Sequence, residues 1–198
     1  MKYYFIETLG DLDEPDLCIL DKKPDDIGVK YSCMVFGRRI ADVFPSPAVI
    51  RMSPDREGLK LSSLLGNTSS FLIVDNLVKD VIKANSTDEI EYLAFNLLDH
   101  KGRVHSSDYF IINPIGSRDC LNHELSDIEY FEGDTKEVVD VHRFVLDPEK
   151  LSDQPVLFRI KEEPSEYVIG ENLLQLFKDN GFTNIVVKEI EQKELESK

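Results

Sequence analysis

Apolar residues in this chain fall in short runs separated by polar stretches, and most runs are too short for anything but strands. Lys2-Tyr-Tyr-Phe-Ile-Glu7 is aromatic and β-branched, which predicts a strand. Residues 10–28 are rich in Asp, Pro and Gly and read as loop. Between Val29 and Val43 apolar and polar positions alternate, predicting short strands near Cys33–Phe36 and Ile40–Val43. Pro45, Pro47 and Pro54 then break the chain on either side of a short strand, Val49–Met52. Leu59, Leu61, Leu64 and Leu65 predict a short helix ended by Gly66 and Asn67.

The second half of the chain has clearer periods. Phe71–Val74 is a buried strand-like run, and Asp75 can cap a helix whose apolar face is Leu77, Val78, Val81 and Ile82. Ile90–Leu98 and Tyr109–Pro114 flank the turn Asp99-His-Lys-Gly102 and should pair as a hairpin. The strand Tyr109–Asn113 is too apolar for a sheet edge, so it should be central, with Phe110 and Ile112 on one face. Val138–Leu146, Val156–Ile160 and Tyr167–Ile169 predict further strands. A helix over Glu171–Asn180 follows, with Leu173, Leu174, Leu176 and Phe177 inward and Gly181 just past its end. Ile185–Val187 predicts a last strand, and the charged tail from Lys188 should fray. Residues 72–85 and 167–180 both read strand, cap, Asn-Leu, amphipathic helix, Lys-x-Asn, so one strand–helix unit could be present twice.

Composition narrows the class. The 198 residues, 41% of them hydrophobic, suit one domain or two small ones. The natural divisions are a β-rich segment 1–55, an α+β region 56–190 (or one continuous domain 1–190), and a charged tail 191–198. No stretch approaches the ~20 apolar residues of a membrane helix. Glu7, Gly10 and Asp11 cut the first apolar run too short for a signal peptide, so the protein should stay in the compartment where it is made. Cys18, Cys33 and Cys120 are odd in number and widely spaced, which fits a reducing cytoplasm rather than a disulfide framework.

Charge changes the picture most. The net charge is −15, from 38 acids against 23 bases. Such a field repels nucleic acid and anionic membranes and draws in basic proteins, although acidity alone also serves solubility. Two segments carry most of it. Residues 7–26 hold eight acids against Lys22 and Lys23, a net of −6, and residues 119–140 hold eight acids against Lys136, a net of −7.

Candidate chemistry is sparse. Phosphate-binding Gly motifs, a Gly-x-Ser-x-Gly elbow, a His-Glu-x-x-His helix and a calcium-spaced Asp loop are all missing, so no cofactor is expected. His100 and His105 flank a turn, where solvated histidines are the simplest reading. Cys120, His123 and Asp119 include nucleophile, base and orienter types, but triad partners seldom adjoin in sequence. Cys120 and Leu121 should instead pack inward, with Asp119 and His123 outward. Pairs such as Glu129 with Glu132 or Asp134 read as a solvated face rather than a glycosidase site. No converging ligand spacing predicts a catalytic metal.

More specific is an order of short motifs. Tyr109-Phe-Ile-Ile-Asn113-Pro-Ile is followed by Asp119-Cys-Leu and Ser126, then Phe144-Val-Leu-Asp147, Leu151, Phe158-Arg159 and Asn180-Gly-Phe182. Upstream stand Leu61-Ser-Ser-Leu-Leu65, Phe71-Leu-Ile-Val-Asp75 and Tyr92-Leu-Ala-Phe95. Over roughly residues 55–190 this order resembles a family of immunity proteins from bacterial polymorphic toxin systems, earlier catalogued as a domain of unknown function. Asn184 departs from it, standing where a second Gly is expected, and the acidic run 119–140 is a feature of this chain. The resemblance implies that the protein neutralises a toxin made by the same cell or a close relative, by covering its active site or a nearby surface.

These readings converge on an α+β fold, mostly antiparallel sheet packed against two or three short helices. The function expected is non-catalytic binding of a cognate protein toxin, for which a basic toxin is the electrostatic match. The rivals are a small enzyme with an unrecognised site and an adaptor module without a toxin partner. The acids expected at the partner surface are Glu124, Asp127, Glu129, Glu132 and Asp134, with Asp11, Asp13, Glu14 and Asp16 as a second set.

Overall fold

The computed structural model describes residues 1–131 and 137–194. Its strands of three residues or more are β1 (Tyr3–Ile6), β2 (Val49–Arg51), β3 (Leu72–Asp75), β4 (Ile90–Leu98), β5 (Val104–Pro114), β6 (Asp127–Tyr130), β7 (Val138–Arg143), β8 (Leu157–Arg159), β9 (Tyr167–Gly170) and β10 (Val187–Glu189). Helix α1 (Asn76–Asn85) follows β3 directly, and α2 (Glu171–Asp179) follows β9. One four-stranded sheet runs β2-β4-β5-β3 and a second runs β8-β9-β1-β10. Within them only the β2–β4 pair is parallel. The fold is α+β.

Period-two alternation along the strands builds the layers. Phe110 and Ile112 of β5 and Leu72 and Val74 of β3 point to one face, and Tyr109, Ile111 and Ile73 to the other. In the second sheet Tyr4, Ile6, Leu157, Tyr167 and Ile169 point one way, and Tyr3, Phe5, Phe158 and Val168 the other. The first-named faces of both sheets share a middle cluster with the apolar sides of α1 and α2: Val78, Ile82, Leu173, Leu174 and Phe177. The N-terminal segment, including Cys18, Leu20, Met34 and Ile40, covers the outer face of the first sheet. Cys120, Leu121, Val141, Leu146, Leu151 and Ile190 cover the outer face of the second.

As expected, β5 is central, paired to β4 on one side and β3 on the other, and Asp75 caps α1 by accepting from Val78 N–H at 2.9 Å. Both strand–helix units exist, their helices packed in the same cluster. Several readings are corrected. Residues 59–65 form no helix. Leu65 N–H donates to Ile73 O, and Asp75 N–H to Ser63 O, so this chain runs extended beside β3. Glycine makes that route passable: a Cβ on Gly66 would lie 2.2 Å from Leu9 O, and one on Gly58 2.2 Å from Leu17 O. Cys33–Phe36 and Ile40–Val43 are not strands but lie in a helical turn, Ser32–Val35, and a 3-10 turn, Ala41–Val43. Leu17–Leu20 is buried inside the stretch read as loop, with Ile19–Leu20 paired to Gly66–Asn67. Leu77 is 66% exposed rather than inward. The last strand begins at Val187, later than expected, and residues 188–193 are tied into the fold rather than frayed. β10 pairs with β1, Glu191–Gln192 pair with Val145–Leu146, and Ile190 is buried between them.

Candidate partner-binding surface

The segment with the greater negative charge begins where β5 has ended and returns to the second sheet through a two-stranded hairpin. Asn122 accepts the N–H groups of Glu124 and Leu125 at 3.1 and 3.0 Å, an Asx turn. Ser126 Oγ donates to Val145 O and accepts from Val145 N–H, closing the base of the hairpin. β6 and β7 then pair with two register irregularities. Ile128, Val138 and Val141 turn inward against the second sheet, which leaves the alternate positions in solvent.

On that outer side Asp127 lies opposite Arg143, and Glu129 opposite Asp140. Facing like charges are unfavourable. His142 lies between these two carboxylates, 3.3 Å from Glu129 and 3.4 Å from Asp140. Arg143 bonds Glu191 through two nitrogens at 2.5 and 3.3 Å, and this contact holds the Glu191 carboxyl below its ordinary range. Glu124, Asp127 and Glu129 are all exposed; Glu132 and Asp134 lie outside the described residues. Sequence reasoning missed the apolar component of this surface. Leu125, Tyr130, Phe131 and Val139 are 48, 41, 59 and 55% exposed. The adjacent aromatics Tyr130-Phe131 within an acidic run were the available signal, since aromatic anchors ringed by charge mark protein interfaces.

The second acidic set lies elsewhere. Asp11 is half-buried; its N–H donates to Asn184 Oδ1 at 2.6 Å, and its carboxylate accepts from Asp13 N–H. Glu14 faces Lys60 at 3.5 Å, and Asp16 is exposed. An open groove adjoins it, lined in part by Pro15, Asp16, Asp55, Glu57 and Leu59. Asp55 and Glu57 thus extend this set in space. The two sets are anchored on different clusters, and among the described residues no hydrogen bond or ion pair joins them.

The catalytic reading of Cys120 fails on geometry. Cys120 and Leu121 are fully buried while Asp119 and His123 are exposed. Burial pushes the Cys120 thiol up to about 12, the wrong direction for a nucleophile. Asp119 is held ionised, below its usual range, by the hydrogen bond from Lys150. His123 turns instead to Glu162, 2.9 Å from its Oε1. Asp119, His123 and Glu162 bring ligand-type atoms within 4.8 Å of one another.

Several motif residues read from the sequence are ties inside the fold. Asn113 is fully buried and donates to Arg38 O and Glu91 Oε2. Asp147 caps the 3-10 turn Pro148–Leu151, accepting from Glu149 N–H. Arg159 spends all five of its N–H groups in the interior, on the carbonyls of Met34, Val35, Pro114 and Pro164 and on Tyr167 Oη. Asn184, the departure from the expected Gly, sits at φ +61, a conformation that Gly or Asn tolerates.

These features define an α+β scaffold whose motif residues include several that secure the interior and whose hairpin acids Glu124, Asp127 and Glu129 stand outside. The chain belongs to the Immunity protein family (Imm11), whose profile matches residues 6–192, nearly the whole chain and well beyond the 55–190 first noted. A toxin partner is thus implied in general terms. No curated protein matches the chain. Among the described residues no helix is long and apolar enough to cross a membrane.

Proposed function

We propose that this protein neutralises one cognate toxin of a bacterial polymorphic toxin system by binding it in the cytoplasm, without catalysis, and that the toxin presents a basic face. Membership of the immunity family carries this reading. The charge supports the basic face: at −15 the molecule accelerates encounter with a positively charged partner. The docking element is the β6–β7 hairpin with its preceding turn. There Glu124, Asp127, Glu129, Glu132 and Asp134 supply the field, and Tyr130, Phe131 and Leu125 supply the apolar contact that charge alone cannot.

Copurification with the toxin, identified by mass spectrometry, gives the partner. Association kinetics then test the surface. Replacing the five acids by Asn or Gln should leave the fold intact, slow association at least about tenfold at low salt, and flatten its salt dependence, because screening acts over about 8–10 Å. Replacing Tyr130 and Phe131 by Ala should mainly speed dissociation. An unchanged rate and salt slope in the five-acid variant would remove the hairpin from the interface.

A further inference from the structure

Glu162 stands just after β8, at the end of an isolated bridge between Arg118 and Ile160. Its side chain is only 4% exposed. One carboxylate oxygen, Oε1, lies 2.9 Å from His123 Nε2; the other, Oε2, is buried with no hydrogen-bond partner among the described residues. A carboxylate oxygen taken out of water and left unmatched is costly, so such an atom marks a missing counterpart. Glu162 belongs to a group that also holds an imidazole, His123, and a second carboxylate, Asp119, one ligand-type atom of each lying within 4.8 Å of the others. A water would give the oxygen a hydrogen bond but no charge; a divalent cation gives it a coordinating partner and compensates its charge.

We propose that Asp119, His123 and Glu162 form a binding site for a divalent transition metal of the zinc type. One imidazole nitrogen and two carboxylate oxygens make a ligand set that Zn²⁺ accepts at about 2.0–2.2 Å, leaving a fourth position open. Two acids match its charge. The 2.9 Å between His123 Nε2 and Glu162 Oε1 is a separation that two ligands of one ion can hold, and a Glu162 bound through both oxygens gives the unmatched Oε2 its counterpart. In the metal-free protein Lys150 sits 2.7 Å from one oxygen of Asp119 and Lys161 3.5 Å from the other, so these amines are the competitors that the ion must partly displace. Glu162 comes from 39 residues beyond His123, which is why ligand spacing in the sequence did not disclose the group. A bound ion would cross-link the strand end at 160–162 to the turn that opens the acidic segment.

Titrating ZnCl2 into chelator-treated full-length protein, followed by calorimetry and by the absorption spectrum with Co²⁺ as probe, tests this. One ion per chain should bind, and Mg²⁺ at the same concentration should not compete. His123→Ala, an exposed position where folding is safe, should weaken binding by at least about 100-fold, since loss of even an outer-shell partner costs 10–100-fold. Glu162→Gln should weaken it similarly while keeping the side-chain shape, and circular dichroism checks its fold. His142→Ala should leave affinity unchanged. The site is overturned if no 1:1 binding is seen up to about 1 mM Zn²⁺, far above the range of built zinc sites. It is equally overturned if His123→Ala binds within about threefold of the parent.

Discussion

Arg159 shows how much one buried cation can organise. It is 1% exposed, its guanidinium lies 4.0 Å over the Tyr167 ring, and its five donors reach a helical turn, the end of β5 and the Pro164 loop. Lysine keeps the charge but offers a compact ammonium in place of a planar fork. Arg159→Lys should therefore lower stability by about 3 kcal/mol or more in urea unfolding, because several carbonyls lose a charged donor together. Tyr3 is the opposite case: its hydroxyl is buried with no hydrogen-bond partner among the described residues, while its ring packs edge-on to Phe158 at 5.5 Å. Tyr3→Phe should leave stability equal or raise it by up to about 1–2 kcal/mol; a clear loss by thermal melting would mean that the hydroxyl has a partner after all. The role of Arg159 could not be read from the sequence, because its carbonyl partners sit up to 125 residues away. The capping role of Asp75 could, because its partner is three residues on.

The same distinction separates elements that were legible from those that were not. The β4–β5 hairpin and both strand–helix units are fixed by local periods and caps, and they stand where expected. Residues 59–65 show a helical leucine spacing, yet their backbone groups pair with β3 and the interior takes Leu64 and Leu65 from an extended chain; tertiary pairing outweighed propensity. At the turn of the β4–β5 hairpin, Asp99 accepts from Arg103 N–H, Lys101 N–H and the Arg103 guanidinium, which together hold its carboxyl at about 2. A depressed carboxyl stabilises the fold above its unfolded value of about 3.9 and loses that contribution as pH falls through about 2. Asp99→Asn should thus melt below the parent at pH 6, with the gap closing towards pH 2; a gap independent of pH would refute the assignment. The C-terminal stretch was misread because charge suggests solvent, whereas one apolar residue within it, Ile190, faces inward and the backbone on either side is paired. Ile190, 3% exposed, donates its N–H to Tyr3 O. Ile190→Ala should cost about 2–5 kcal/mol by denaturant unfolding; a frayed tail would give almost none.

At the scale of the whole molecule, fold class and electrostatic character were readable because both are sums over many residues. The candidate surface was read as charge, though the Tyr130-Phe131 pair within the acidic run was also legible. Its apolar anchors depend on which side of a hairpin faces the second sheet, and Glu162 joined His123 only through the fold. The topology has one more consequence, for the order of events during synthesis. β1 lies between β9 and β10, so a strand made among the first residues must wait for residues 167–189 before either edge is paired. Such long-range closure is slow compared with local hairpin formation. On the ribosome the β4–β5 hairpin can fold early, but the second sheet, and with it the seat of the acidic hairpin, closes only after residues 167–189 have emerged. A chain cut short before residue 167 would leave both edges of β1 unpaired and the acidic hairpin without its seat.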